Sequence, residues 1–133
     1  MRRICCFCES WESGGIESFL HNILLRMDLT GLEVDIVAAQ LKDSVFTQAL
    51  REHGVRFREL SGSQRNLPEN HRRFVALLWE RRYDVVHLNI FQGMSLYYAH
   101  LAKLAGVPVR IAHSHNTDLR QSLTRPLKLW LHR

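Results

Sequence analysis

Nowhere does this 133-residue sequence hold an apolar run near the ~18–20 residues that cross a bilayer, so no membrane-spanning helix is expected. A secretory leader is not expected either. Met1-Arg2-Arg3 precedes Ile4-Cys5-Cys6-Phe7-Cys8, but Glu9 and Glu12 cut the run before a leader core can form. Cysteine is scarce: three residues, all between Cys5 and Cys8. An odd number packed so closely makes no disulfide framework. Neighbouring side chains of a strand face opposite ways, so these cysteines read as small buried hydrophobes of a reduced, cytoplasmic protein. There is no G-x-G-x-x-G, no acid where Gln40 follows the second expected strand, and no P-loop lysine motif. A nicotinamide cofactor is therefore not expected. No carboxylate accompanies the later histidines and no cysteine sits at a chelating turn, so no metal is expected. The basic stretches lack aromatic platforms and any recognised module, so no nucleic acid is expected as a partner.

What is present is an ordinary globular balance, 46% hydrophobic and 23% charged, in one domain's length of chain. The net charge of +5 is uneven. Residues 1–66 carry eight basic and nine acidic groups, whereas residues 67–133 carry ten and four. The second half thus suits either an anionic partner or a solvated helix face.

Arg3 to Cys8 reads as a strand covered on both faces. A polar loop follows from Glu9 to Gly15. Ile16, Phe19, Leu20, Ile23, Leu24 and Met27 then recur at helical spacing, with Glu17 in the first turn. Glu33–Ala39 is a second strand. Asp43 or Ser44 can cap a helix through Val45, Phe46, Ala49 and Leu50, stopped at His53-Gly54. Val55–Leu60 alternates like an edge strand. Asn66 and Glu69 predict a capping box for a helix burying Phe74, Leu77 and Leu78. Asp84–Leu88 is a fourth strand, Ser95–Ala105 a helix, and Val109–His113 a fifth strand. A basic helical segment from Asp118 to His132 is interrupted by Pro126.

Five strands alternating with helices predict an α/β, Rossmann-like parallel sheet of order 3-2-1-4-5, with helices on both faces. Ligands bind such sheets beyond the carboxyl ends of the strands, at the switch point between the first and fourth. Gly14-Gly15 falls there, at a helix start. It is either a plain turn or a loop that lets a phosphate approach the backbone. His87 and Asn89 follow strand four, and His113, Ser114, His115, Asn116 and Thr117 follow strand five. Three histidines thus converge on one end of the sheet, suited to general-base work or to phosphate hydrogen bonding.

Gly14-Gly15-Ile16-Glu17-Ser18-Phe19-Leu20 resembles the start of the family 4 glycosyltransferases of two-domain GT-B fold. Tyr83-Asp84-Val85-Val86-His87-Leu88-Asn89 is similar to their fourth-strand signature. Gly106 to Thr117 is similar to the fifth strand of the bacterial capsular and exopolysaccharide branch. The resemblance implies retaining transfer of a sugar from a nucleotide-sugar donor to a glycan or lipid-linked acceptor, without a bound metal or other cofactor. It implies that Gly14 and Gly15 face the donor diphosphate. It implies a reacting-sugar histidine, His115 by preference and His113 as second choice. Glu17, His87, Asn89 and Asn116 are the accompanying substrate-side candidates, with Glu17 matching the family's acidic position mainly as a helix-start residue.

The same resemblance implies that residues 1–133 are an acceptor-side domain cut short, with the donor-binding carboxyl-terminal domain absent and the fragment alone inactive. Lipid-linked acceptors imply peripheral contact with an anionic inner membrane face. Leu119, Leu123, Leu127, Trp130 and Leu131 form an apolar stripe among Arg120, Arg125, Lys128 and Arg133. The stripe suits either an anionic lipid surface or packing against protein. The rival to the transferase is a stand-alone α/β module that holds a phosphorylated ligand with its glycine loop and histidines.

Overall fold

The computed structural model describes residues 1–12, 14–42, 44–89 and 92–113. The expected segment 118–132 lies outside them. The elements run β1 (Arg2–Trp11), α1 (Gly15–Arg26), β2 (Leu32–Leu41), α2 (Thr47–Glu52), β3 (Arg56–Glu59), α3 (Leu67–Arg81), β4 (Val85–Asn89), α4 (Gln92–Leu104) and β5 (Val109–Ala112). All pairings are parallel and the strand order is β3-β2-β1-β4-β5, as expected. No helix among the described residues is long and apolar enough to cross a membrane.

The alternation of β1 divides the core. Cys5 and Phe7 face one side, where Phe74, Leu78, Tyr83, Leu88 and Tyr98 pack. Cys6, Cys8 and Trp11 face the other, with Leu20, Leu24, Ile36 and Leu50. The first cluster is the floor of α3 and α4; the second lies under α1 and α2. The three cysteines are free and buried, as their small apolar character suggests. Burial pushes all three thiols up, Cys6 to about 12, so none is a ready nucleophile.

Two readings are corrected. The strand expected to stop at Cys8 continues through Trp11, because Ser10 pairs with Gln40 and Trp11 with Leu41. Trp11 is fully buried, and its indole N–H donates to Thr47 Oγ1 at 2.9 Å. The capping box at Asn66 does not form. Asn66 makes no side-chain cap, and the Glu69 carboxylate turns instead to Arg72 and Arg73. The residue that secures the entry to α3 is Asn70, which is 1% exposed. Its Oδ1 accepts the Ser61 N–H at 3.1 Å, and its Nδ2 donates to the Ser63 carbonyl at 2.9 Å. At α2, Ser44 Oγ accepts the Phe46 N–H at 3.2 Å, while Asp43 lies outside the described residues.

Candidate active site

β2 flanks β1 on one side and β4 on the other, so the chain switches direction across the sheet between β1 and β4. The loop from β1 into α1 leaves from that point. Its root is fixed by the Trp11 carbonyl, which accepts the Lys42 N–H at 2.9 Å, and by a 2.7 Å ion pair between Lys42 and Glu12.

Gly14 is the N-cap residue of α1 and lies in ordinary extended backbone. A side chain at this position would press on the end of the Glu17 side chain. A Cβ there would lie 2.7 Å from Glu17 Oε2. Glu17 occupies the third helical position, from which a glutamate reaches back to the N-cap N–H. Its carboxylate takes backbone hydrogen bonds from Gly14, from Glu12 and from its own N–H. These bonds favour the charged form, but burial outweighs them and raises its pKa above the usual carboxylate range. Glu17 is thus folded inward as the strut of the loop, in keeping with its reading as a helix-start residue. Gly15 differs: a Cβ there would meet nothing within 4 Å, and the residue is exposed at the head of α1. Among the described residues, no packing demand accounts for that glycine.

His87 and Asn89 lie on the α1 side of β4, alongside Cys6 and Cys8 of β1. Asn89 is fully buried and its Nδ2 donates to the His87 carbonyl at 3.3 Å. His113 follows β5, and its N–H donates to the Leu88 carbonyl at 2.9 Å. Its ring comes to His87, with Nδ1 3.2 Å from His87 Nε2. In this pair one nitrogen donates and the other accepts, so each ring constrains the other's tautomer. The His113 ring also meets Phe19 edge-on, with centroids 4.8 Å apart. Phe19 is one turn into α1, so the histidine pair is tied to the same helix that Gly14 and Gly15 open.

Gly14, Gly15 and Glu17 thus form the head of α1, Asn89 and His113 stand at the carboxyl ends of β4 and β5, and His87 lies mid-strand opposite Cys6; Phe19 is the contact that links α1 to the histidine pair. His115 and Asn116 lie outside the described residues. Phe19 went unread as a site residue because its spacing marks it only as part of an apolar helix face. Among the described residues, no three of His, Cys, Asp and Glu gather as a metal ion would need.

A second polar cluster, unforeseen from the sequence, lies on the α3 face of the sheet toward its amino-terminal end. Asp35 on β2 is fully buried. Its Oδ2 accepts from Arg58 Nε at 2.9 Å, Arg81 Nε at 3.2 Å and the Tyr83 hydroxyl at 2.6 Å. Glu33 accepts from Arg3 at 3.1 Å and Arg81 at 2.6 Å. Asp84 accepts the Arg3 N–H at 2.8 Å. These bonds fasten the end of α3 to the sheet. The Tyr83-Asp84 part of the fourth-strand motif serves this cluster, while its His87 and Asn89 lie on the opposite, α1 face of the sheet.

A family model described as "Glycosyl transferase 4-like domain" matches residues 14–133, from the loop glycine onward. No curated protein matches the chain.

Proposed function

Because the chain belongs to the glycosyl transferase 4-like domain family, we propose that it forms the acceptor-side half of a retaining transferase. In this reading a sugar moves from a nucleotide-sugar donor to a glycan or lipid-linked acceptor, in cell-surface polysaccharide synthesis at the cytoplasmic membrane face. What supports it is the His87–His113 pair, tied through Phe19 to the helix that Gly14 and Gly15 open, in a chain with this family match.

The parts divide the work by chemistry. Gly15 leaves the head of α1 open to a diphosphate, whose charge is favoured by the helix N-terminus. Glu17 holds the loop's shape from inside and takes no proton from substrate. The histidine pair hydrogen-bonds the reacting sugar or relays its proton, since imidazole exchanges protons near neutral pH. Asn89 fixes the backbone at His87. A second domain supplies the rest of the donor site, and the 133-residue chain alone transfers no sugar.

The test is a titration of isotope-labelled chain with nucleoside diphosphates and their sugar conjugates, read by nuclear magnetic resonance. Shifts at the Gly14 and Gly15 amides and the His113 ring are expected. Absence of shifts there with every ligand overturns the site. Sugar transfer by the chain alone overturns the need for a second domain.

A further inference from the structure

A half-exposed ion pair borders the candidate site. Lys42, just past β2, places its ammonium 2.7 Å from the Glu12 carboxylate on the β1–α1 loop, and Glu12 also accepts the Ser10 hydroxyl at 3.2 Å. The ammonium holds the Glu12 carboxyl below the usual carboxylate range. Of the ion pairs among the described residues, this is the one that reaches the β1–α1 loop. Backbone already ties the root of that loop, through the Ser10–Gln40 and Trp11–Leu41 pairs and the bond from the Lys42 N–H to the Trp11 carbonyl. The two side chains are 53% and 46% exposed, and water screens a pair so placed. The position of the pair matters more than its strength. The N–H groups of Glu12 and Gly14 both donate to the Glu17 carboxylate, so the residue that holds Lys42 is itself bonded into the head of α1. Arg72 and Arg73, by contrast, are engaged by Glu69 at the head of α3.

We infer that Lys42 is a phosphate-binding residue of this site, and that Glu12 is the counter-ion which substrate phosphate displaces. The inference rests on the sugar-transfer reading and adds to it a residue that selects ligands by charge. A lysine is a compact charge on a flexible four-carbon stem, so it can leave one anion for another without moving the backbone. A diphosphate presents it with more negative charge and more acceptor oxygens than a carboxylate does. Held by Glu12, the ammonium is kept at the loop and neutralised. Taken over by phosphate, it adds a charge-assisted hydrogen bond to those from the head of α1. Glu12 therefore competes with the ligand for Lys42, and the two members of one ion pair have opposite effects on binding.

The experiment titrates the whole chain with adenosine, guanosine, uridine and thymidine diphosphates, with inorganic pyrophosphate and with the matching nucleosides. Wild type, Lys42→Ala, Lys42→Arg and Glu12→Gln are compared, and dissociation constants are read from the Gly15 amide. Lys42→Ala should weaken diphosphate binding about tenfold, Lys42→Arg should restore most of the loss, and Glu12→Gln should tighten binding about threefold. Nucleosides, which carry no phosphate, should not respond to any of the three. Three results overturn the inference: equal binding by wild type and Lys42→Ala, weakening by Lys42→Ala and Glu12→Gln alike, as a pair that only shapes the loop would give, or the same change for nucleosides as for diphosphates. In each of these wild type still binds, so the transferase reading of the site stands. A wild-type Gly15 amide that responds to no probe overturns that reading and this inference together.

Discussion

The two faces of the sheet both carry polar groups, yet they use polarity in opposite ways. On the α3 face, toward the amino-terminal end, Asp35, Glu33, Arg3, Arg58, Arg81 and Tyr83 answer one another within the chain. On the α1 face, the described residues instead offer a glycine with open space over it and two histidines in contact. Charge density therefore points to the wrong face. Among the described residues the densest cluster of charge holds the fold, and the candidate site is built where a side chain is missing. The largest effects should come from breaking the cluster on the α3 face. Asp35→Ala removes the shared acceptor of two guanidiniums and a buried hydroxyl, and unfolding in urea should show a loss of about 3–5 kcal/mol. A loss below about 1 kcal/mol would mean that the cluster is solvated and only decorates the sheet.

The next effect tests whether the α1 face also carries structural strain. In Gly14→Ala the new Cβ collides with Glu17 Oε2 and displaces the carboxylate from the loop N–H groups. The expected cost is about 1–2 kcal/mol, the worth of a lost helix cap with a buried acceptor left unmet. Adding Glu17→Ala to Gly14→Ala should recover part of it, since the obstacle is then gone. No recovery would show that the backbone, not the carboxylate, requires the glycine.

Glu17 also separates the two faces by pH. Its pKa is raised in the fold, chiefly by burial. A carboxyl group of that kind contributes stability below its unfolded pKa, and that contribution is lost as pH rises through the folded value. Wild type should therefore lose stability relative to Glu17→Gln as pH climbs above the ordinary glutamate range of roughly 4–4.5. Urea melts of both proteins across pH 4 to 7 measure this directly. A gap that stays constant, or that widens in favour of wild type, would mean that the loop's hydrogen bonds outweigh burial.

The sequence exposes those features whose partners are close along the chain or whose spacing is regular. Strand order, the buried face of α1 and the edge position of β3 all follow from periodicity and alternation. The Asp35 cluster does not, because Arg58 is 23 residues away and Arg81 46. An aspartate inside an apolar strand was the one available sign. The capping box at Asn66 misled for a local reason: two arginines at the next turn compete for Glu69 and win. At the site, the glycines and histidines were legible as residue types in the right loops. Their division of labour was not. Gly14 and Gly15 are adjacent and alike in sequence, and only the position of the Glu17 carboxylate tells them apart.

That distinction yields the smallest expected change in stability and the most telling one. Gly15→Ala places a methyl group where none of the described residues comes within 4 Å, at the first position of α1. Alanine favours the helix over glycine, so stability should hold or rise by a few tenths of a kcal/mol. Binding should move the other way, because the methyl group stands where a diphosphate would approach the helix N-terminus. Urea unfolding and the nucleoside diphosphate titration, run on the same protein, read the two effects separately. Weakened binding with unchanged stability would set Gly15 apart from Gly14 as a residue kept open for a ligand. Unchanged binding would place the ligand elsewhere on the sheet and reduce the glycine pair to a turn.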